Sequence, residues 1–286
     1  MLSILIVNWN TKEHLRRCLA SIREHAPSEP WEVIVVDNAS PDGSADLVKD
    51  EFPWVRLIAC MKNIGYAAGN NRAFGAAEGD HLLTLNPDTE FFDDSLQRAV
   101  ETMSGRADAG ALAGKLLNPD RTVQMSLRGF PRPLAIICDA LGLGKLFSRN
   151  RFFGAYRQMW FDYSKAAEVE QPMGTFVLYR REALDQVGLM DEQFPIFFND
   201  VDLLYRIRKK GWKILYTPEV QLIHHAGAST RQVRKAMIWE SHRSLIRYYR
   251  KWYARWWNLP ALFLFDMIVW FAAWVRARGW HAGFRP

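Results

Sequence analysis

The fold is decided by the stretch His81-Leu82-Leu83-Thr84-Leu85-Asn86-Pro87-Asp88-Thr89-Glu90. An apolar run typical of a buried β-strand ends in an Asn-Pro-Asp turn, which leaves the carboxylate of Asp88 at the end of the strand. Open α/β sheets bind ligands at such strand ends, and a carboxylate there suits a hard divalent cation. Taken alone, Asp88 fits an ordinary turn as well as a metal site, so the rest of the chain must supply partners.

Strand and helix patterns alternate around this stretch. Apolar, β-branched runs predict strands, and helical spacing predicts helices; the strands are expected at 4–7, 33–36, 55–58 and 81–85, and the helices at 11–23 and 69–78. Strands separated by helices imply βαβ units and a largely parallel sheet. Continuously apolar strands fit a sheet with helices on both faces. The sequence therefore predicts an α/β fold.

The second half of the chain is less regular. Further strands are predicted at 110–114, 174–179, 212–216 and 220–223, with helices at 181–187 and 201–210. Between them, residues 119–165 mix Pro, Gly, Arg and aromatic residues without a clear period. A long irregular segment of this kind is usually a functional loop or lid.

Composition favours a globular protein of a reducing compartment. The chain has 286 residues, of which 49% are hydrophobic, so a sizeable core is expected and disorder is not. Cys18, Cys60 and Cys138 are widely spaced and odd in number, which argues against a disulfide framework. A strand pattern begins at residue 2 without a charged leader, so no signal peptide is expected.

Positive charge is concentrated at the end of the chain. The net charge is +6, yet residues 231–286 alone carry 11 Lys and Arg against 2 Asp and Glu. The remaining residues are therefore slightly acidic. This asymmetry favours contact of the tail with a membrane or polyanion over a nucleic-acid-binding main domain.

Polar residues follow the first two predicted strands. Asn8 and Asp37 each stand directly after an apolar run, where they fit hydrogen bonding to a ribose or base. Asp37 fits a turn or helix cap equally well. Between Asn63 and Asn71 the small residues let a backbone approach a ligand closely, although a tight strand–helix junction explains them too and no P-loop lysine is present.

A second group of polar residues lies near the end of the main domain. Asp200 and Asp202 begin a predicted helix after the apolar run 194–198, which should raise the pKa of a carboxylate and suit it to act as a base. Capping of the helix is the alternative. His224 ends a strand and is a candidate metal ligand, although a lone histidine is more often structural.

Seven short motifs in order resemble the family 2 glycosyltransferases of the GT-A fold, and within them the bacterial rhamnosyltransferase-like branch. The resemblance covers roughly residues 3–230 and rests on Ile6–Asn10, Val35–Ser44, Asn63–Asn71, Leu85–Asp88, Gly174-Thr175-Phe176 with Arg180–Glu182, Phe198–Leu203 and His224–Ser229. It implies a Rossmann-like nucleotide-binding domain with a mixed, mainly parallel sheet. Residues 119–165 would then form the acceptor-side loop.

The resemblance also implies roles for individual residues. The nucleotide would be held by Asn8, Asp37, Asn63, Gly65, Asn71 and Asn86, with Asp37 reading a pyrimidine base. Asp88 and His224 would bind Mg²⁺ or Mn²⁺, and Asp200 would be the catalytic base. Gly174, Asn199 and Asp202 would contact the acceptor or the donor sugar.

Two positions depart from the pattern of the family. Asn86 replaces the first carboxylate of its Asp-x-Asp metal motif, and Asn199 replaces the Glu that precedes the base. The amide oxygen of Asn86 can still accept a hydrogen bond or bind a metal. Asn199 removes a like charge beside Asp200, which should limit the rise of its pKa.

The implied activity is inverting transfer of a sugar from a dTDP- or UDP-sugar to a hydroxyl of a glycan or lipid-linked saccharide. L-Rhamnose is the favoured donor sugar, with galactofuranose or N-acetylglucosamine as alternatives, in the biosynthesis of a cell-surface polysaccharide. A sugar-nucleotide-binding protein without turnover and a basic membrane- or nucleic-acid-binding module are the competing interpretations.

The tail, residues 231–286, is predicted to be helical. Residues 231–258 place aromatic and apolar side chains at helical spacing among eight basic residues, and the apolar run 259–275 contains Asp266. This pattern favours a helix lying in the membrane interface, over one packed on the domain or in a homodimer, or a true span. The expected location is therefore cytoplasmic, peripheral on the inner face of the cell membrane.

Overall fold

The computed structural model describes residues 1–227 and 230–279, apart from the side chains of Thr230 and Arg231. The predictions made for Ala228-Ser229 and for residues 280–286 lie outside the described residues. The strands are β1 (Leu2–Asn8), β2 (Trp31–Asp37), β3 (Arg56–Ala59), β4 (His81–Leu85), β5 (Thr89–Glu90), β6 (Ala109–Leu117), β7 (Leu127–Arg128), β8 (Ala167–Glu168), β9 (Gln171–Pro172), β10 (Phe176–Arg180) and β11 (Lys213–His224). The α-helices are α1 (Lys12–Glu24), α2 (Ser44–Glu51), α3 (Tyr66–Ala76), α4 (Ser95–Ser104), α5 (Pro133–Ala140), α6 (Leu143–Leu146), α7 (Arg181–Val187), α8 (Asn199–Lys209), α9 (Arg234–Tyr253) and α10 (Leu259–Ala277). Short 3₁₀ helices cover Thr230–Val233 and Trp256–Asn258.

The main sheet has the strand order β3-β2-β1-β4-β10-β6-β11-β5, and β8 pairs with β11. The first four strands are parallel, β6 is parallel to β11, and β10 runs antiparallel between β4 and β6. β1 has β2 on one side and β4 on the other, which creates a topological switch point where ligands bind in open α/β sheets. The predicted mixed, mainly parallel α/β fold is confirmed.

Alternating residues of β1 explain why helices cover both faces of the main sheet. Ile4 and Ile6 belong to a buried cluster with Leu15 and Leu19 of α1, whereas Leu5 and Val7 belong to a second cluster on the other face. Successive side chains of a strand point to opposite faces, so a strand that is apolar throughout needs cover on both. The helices on the two faces provide it.

Several elements differ from the sequence prediction. The helix α4 and the two-residue strands β5, β7, β8 and β9 were not predicted. The two strands expected at 212–216 and 220–223 are one strand, β11, whose register with β6 shifts between Thr217 and Gln221. The irregular segment 119–165 contains α5 and α6.

The tail forms a helical hairpin rather than a separate module. Leu245 and Tyr248 of α9 are fully buried and share a core cluster with the main sheet, so packing shows no break at residue 230. α10 packs back on α9, with Phe265 stacked on Tyr249 at 4.4 Å between ring centroids. Asp266 accepts a hydrogen bond from Arg250 Nε at 3.0 Å, which pairs its charge. The helical run Trp256–Ala277 is long and apolar enough to cross a membrane by length and composition alone.

Candidate functional site

A cavity of about 610 Å³ opens at the switch point. Its described walls come from the carboxyl ends of β1 and β4, the start of α3, residues 171–175, the start of α8, the end of β11 and the start of α9. The lining includes Trp9, Asn38, Asn63, Gly65, Tyr66, Asn86, Asp88, Arg128, Tyr156, Gln171, Gly174, Thr175, Asn199, Asp200, His224 and Met237. Segments far apart in sequence therefore build one site.

One wall carries the predicted metal pair. Nε2 of His224 lies 3.4 Å from Oδ1 of Asp88, and both side chains are buried. The backbone N–H of His225 donates to the carbonyl of Asp88 at 2.9 Å, which fixes the turn against β11. Asp88 is only 6% exposed and is one of the residues that line the cavity.

Gln124 orients the histidine. Its Oε1 lies 2.7 Å from Nδ1 of His224. An amide oxygen only accepts, so the proton is assigned to Nδ1, and in the neutral tautomer Nε2 keeps a lone pair with which it can bind a cation shared with Asp88. A ligating histidine usually has such a partner on its other nitrogen. Gln124 lies in the irregular segment, and no sequence pattern pointed to it.

The donor set fits a cation held jointly with a substrate. Among the described residues, no three His, Cys, Asp or Glu side chains come together as a metal site. Mg²⁺ is commonly bound by one or two carboxylates together with substrate phosphates, which matches Asp88, and the imidazole of His224 adds a ligand typical of transition-metal ions. Asn86 lines the same cavity, and its Oδ1 accepts a hydrogen bond from Tyr66 at 3.2 Å.

Another wall carries Asp200. Its Oδ2 accepts a hydrogen bond from the backbone N–H of Gly174 at 3.0 Å, and its Oδ1 accepts one from Val201 at 2.9 Å. Burial raises the pKa of Asp200, opposed by these two backbone donors. A mostly buried carboxylate that lines the cavity, with a raised pKa and a fixed orientation, is suited to general base catalysis.

Two backbone features hold Asp200 in place. A Cβ on Gly174 would lie 2.8 Å from Oδ2 of Asp200, so this position has no room for a side chain. Phe198, at the start of α8, has a φ of 68°, which is unusual for a bulky residue. Asn199 donates from Nδ2 to the carbonyls of Phe194 and Ile196 and thereby fixes the same turn.

The predicted sugar contact of Asp202 is corrected by its position. Asp202 is fully buried and its carboxylate accepts hydrogen bonds from Arg206 Nε at 2.9 Å and from Trp252 Nε1 at 2.8 Å. Lys251 Nζ lies 2.7 Å away. Residues two positions apart in a helix are separated by about 200° of rotation about its axis. Asp202 therefore faces α9 while Asp200 faces the cavity.

Asn8 and Asp37 lie behind the cavity wall. Nδ2 of Asn8 donates to Oδ1 of Asp37 at 2.9 Å, and the backbone N–H of Ser40 donates to Oδ2 at 3.0 Å. Both side chains are buried and support the loops that carry Trp9 and Asn38. Their nucleotide-binding roles stay predictions.

The Asn63–Asn71 segment divides between wall and exterior. Asn63 and Gly65 line the cavity. Gly65 has a φ of 88°, and a Cβ added there would lie only 3.0 Å from the carbonyl oxygen of Pro195. Asn71 is different, because its amide bonds the backbone of Met190 and the side chain of Glu192 outside this cavity. Asn71 therefore joins α3 to residues 190–192 outside this cavity, and its nucleotide-binding role stays a prediction.

Fold and cavity together define an α/β protein with a mainly parallel sheet and a ligand-sized cavity at its switch point. The model of the family "Glycosyl transferase family 2" matches residues 3–188. The chain belongs to this glycosyltransferase family.

Similar proteins indicate to which branch of the family the chain belongs. The chain is 30% identical over 275 residues to the N-acetylglucosaminyl-diphospho-decaprenol L-rhamnosyltransferase of Mycobacterium tuberculosis, covering 91% of this chain and 87% of the relative. It is 23% identical to a rhamnosyltransferase of Escherichia coli (strain K12), covering 87% and 92%. The resemblance to the rhamnosyltransferase-like branch is confirmed.

A solved structure supports the fold. The mannosyltransferase from Pyrobaculum calidifontis, in complex with GDP-Man and Mn²⁺, aligns with a TM-score of 0.58 at 18% identity. The alignment covers 97% of this chain and 75% of that protein. The GT-A architecture predicted from the motifs is thereby confirmed.

Proposed function

We propose that this chain is an inverting transferase that moves a sugar, with L-rhamnose as the favoured sugar, from a dTDP- or UDP-sugar to a hydroxyl of a lipid-linked saccharide in cell-surface polysaccharide biosynthesis. The observation that carries the proposal is one cavity that holds both the Asp88–His224 pair and the oriented carboxylate of Asp200. The name of the mycobacterial relative supports the sugar and the type of acceptor.

Asp88 and His224 would hold Mg²⁺ or Mn²⁺ together with the diphosphate of the donor. The cation, when bound, neutralises charge that develops on the leaving diphosphate. Gln124 keeps Nε2 of His224 available for this role through its bond to Nδ1. Tyr66 and Thr175 hold the amide of Asn86, so this neutral residue forms the floor of the cavity beside the pair.

Asp200 would take the proton of the attacking acceptor hydroxyl. The N–H groups of Gly174 and Val201 fix the carboxylate while burial raises its pKa, so its basicity is greater than that of an exposed carboxylate. A single displacement inverts the anomeric configuration and needs no carboxylate nucleophile, in contrast to a retaining hydrolase.

Binding of sugar nucleotides without turnover is the second candidate function. The neutral Asn86 and Asn199 favour it, since both stand where the family carries an acid. The retained Asp200, with its two backbone donors, argues for turnover instead.

The test is a transfer assay with dTDP-L-rhamnose, UDP-galactofuranose and UDP-N-acetylglucosamine, an N-acetylglucosaminyl-diphospho-prenol acceptor and Mn²⁺. We expect transfer from dTDP-L-rhamnose, with inversion read from the anomeric NMR signals of the product. A product that retains the donor configuration would contradict the single displacement. Nucleotide binding without product from any donor would favour the second candidate.

We further propose that α10 rests on the inner, cytoplasmic surface of the membrane. Its outward face exposes Phe263, Leu264, Met267 and Phe271, and Trp256 and Trp257 are exposed just before it. The basic residues Arg255 and Arg278 flank the helix at its two ends. Apolar side chains between aromatic and cationic ends are typical of a helix in the interface of an anionic bilayer.

Flotation with vesicles containing phosphatidylglycerol tests this contact. The double variant Phe263→Ser/Phe271→Ser should lose vesicle binding and keep its melting temperature, because these side chains are 64% and 65% exposed. Met61→Ser, which removes an exposed apolar side chain elsewhere, is the matched control. Vesicle binding of the double variant equal to that of the wild type would refute the membrane contact. A wild type that dimerises with increasing concentration, and a double variant that does not, would show that this face of α10 binds a second copy of the chain instead.

A further inference from the structure

One corner of the cavity is built on the small two-stranded sheet of β7 and β9. Arg128 pairs with Gln171 across this antiparallel ladder, and both side chains line the cavity. The next residue, Gly129, donates its N–H to the carbonyl of Tyr156 at 2.8 Å, which brings Tyr156 into the same corner. Arg128, Tyr156 and Gln171 together form the Arg128 corner of the cavity.

The Arg128 corner has hydrogen-bonding capacity that the described protein does not use. Among the described residues, no acid pairs with Arg128, and its guanidinium lies over the ring of Tyr156 at 5.5 Å. Gln171 is 8% exposed and Tyr156 is 4% exposed, yet neither side chain has a hydrogen-bond partner among the described residues. The polar atoms of Tyr156 and Gln171 are not among the fully buried unpaired atoms of the described residues, so they reach the cavity that both residues line, where a ligand can use them.

The charge of the corner identifies the chemistry of that ligand. Of the described residues that line the cavity, Arg128 is the only Lys or Arg. Guanidinium groups bind phosphate oxygens through two parallel hydrogen bonds. Burial raises the pKa of Tyr156, so its hydroxyl stays protonated and can donate as well. Arginine, amide and phenol together form a set of donors for an oxyanion.

We propose that Arg128, Tyr156 and Gln171 form a subsite for a phosphoryl group of the acceptor. This inference rests on the proposed function and adds to it the recognition of a phosphorylated carrier. Gln171 lies three residues before Gly174, whose backbone N–H donates to Oδ2 of Asp200 at 3.0 Å, which places the corner on the side of the base. The donor diphosphate belongs with the Asp88–His224 pair, so the acceptor is the source of the second anion.

Calorimetric titration of the full chain distinguishes a phosphoryl group of the acceptor from the diphosphate of the donor as the ligand of the Arg128 corner. Geranyl diphosphate is titrated with EDTA present, so that no cation assists, and geraniol serves as its neutral analogue. In a second arm, dTDP is titrated with Mn²⁺. The variants are Arg128→Ala, Arg128→Lys and Gln171→Ala, and Arg149→Ala removes an exposed arginine of the same segment as a matched charge control.

We expect the wild type to bind geranyl diphosphate at least about tenfold more tightly than geraniol. Arg128→Ala should abolish this preference, Arg128→Lys should retain part of it, and Arg149→Ala should leave it unchanged. Affinity for dTDP with Mn²⁺ should stay the same in all variants. The near-ultraviolet circular dichroism of each variant checks that the fold is kept.

Three results bear on the inference in different ways. Equal binding of geranyl diphosphate by Arg128→Ala and wild type would overturn the subsite. An equal loss of dTDP affinity in Arg128→Ala would overturn the assignment to the acceptor, since the donor would then use the corner. Arg128-dependent binding of geranyl diphosphate by a chain that binds no nucleotide would support the subsite while the proposed transfer failed.

Discussion

The two walls of the cavity are built in different ways. The wall with Asp88 is made largely from strand ends of the main sheet, and its histidine arrives on the end of β11. The wall with Asp200 joins the start of α8 to Gly174 and the Arg128 corner, with residues from the start of α9 completing the lining. The first wall follows from the topology of the sheet, whereas the second depends on contacts between distant segments. We therefore expect the first to govern donor and metal binding and the second to govern turnover and acceptor choice.

The largest effect is expected for Asp200→Asn. Loss of the base should reduce kcat by about 10²–10⁴-fold, because the amide keeps the size of the side chain but cannot take a proton. Initial rates at saturating donor measure this, and donor affinity should be unchanged. Activity equal to that of the wild type would remove Asp200 from the mechanism.

Asp88→Ala should be the next most damaging change. It removes the carboxylate of the metal pair, and cation stabilisation of a leaving group amounts to several kcal/mol, so turnover should fall by roughly 10²-fold or more. Asn86→Ala is the control from the same turn and should cost far less. Equal losses in the two variants would mean that Asp88 has no special role.

Gly174→Ala should disturb the second wall alone. The added methyl group would lie 2.8 Å from Oδ2 of Asp200, so the carboxylate must move. Misplacement of a catalytic group by a fraction of an ångström should lower kcat by about tenfold or more. The dissociation constant for dTDP with Mn²⁺ should stay at the wild-type value; a large change there would show that the two walls are not separable.

Asp202→Ala should affect stability rather than catalysis. It leaves Nε1 of the partly buried Trp252 without its acceptor, which should cost about 1–3 kcal/mol of the free energy of unfolding. Denaturant unfolding measures the loss. KM for donor and acceptor should be unaffected, and a raised KM in a folded variant would restore the sugar contact first expected of Asp202.

A smaller effect concerns pH and stability. Since burial raises the pKa of Asp200 in the folded state, the folded protein binds this proton more tightly than the unfolded chain. Stability from this group is therefore present at low pH and is lost as pH rises through the raised pKa. The melting temperature of Asp200→Asn relative to wild type should increase over that window, and a decrease would contradict the sign of the shift.

Much of the first wall could be predicted from sequence because its residues end regular elements. Asp88 follows β4 and His224 is the last residue of β11, and these strands are not neighbours in the sheet. The pairing of Thr89 in β5 with His224 brings the two side chains together, and the sequence did not predict that pairing. Asp200 and Asp202 show the limit, since both begin one helix and only packing against α9 reveals which faces the cavity. The tail shows another limit of sequence-based prediction, because an apolar helical face fits a membrane and the rest of the protein equally well. In the structure, α9 buries its apolar face on the main domain.

Gln124, Tyr156 and Gln171 were beyond sequence reasoning for a different reason. They lie in or next to the irregular segment, where no period marks which side chain points inward. Their contribution to the cavity depends on pairings such as that of Arg128 with Gln171, 43 residues apart in the chain. Such long-range register is fixed by the folded structure as a whole.

The division between the two walls is tested most directly by thermal-shift measurements with dTDP-L-rhamnose, with and without Mn²⁺. Specific binding raises the melting temperature by an amount set by ligand concentration relative to Kd. We predict Mn²⁺-dependent stabilisation of the wild type and of Asp200→Asn, and its loss in Asp88→Ala. Stabilisation that persists in Asp88→Ala, or a wild type that shows no Mn²⁺-dependent response to any sugar nucleotide, would contradict the account.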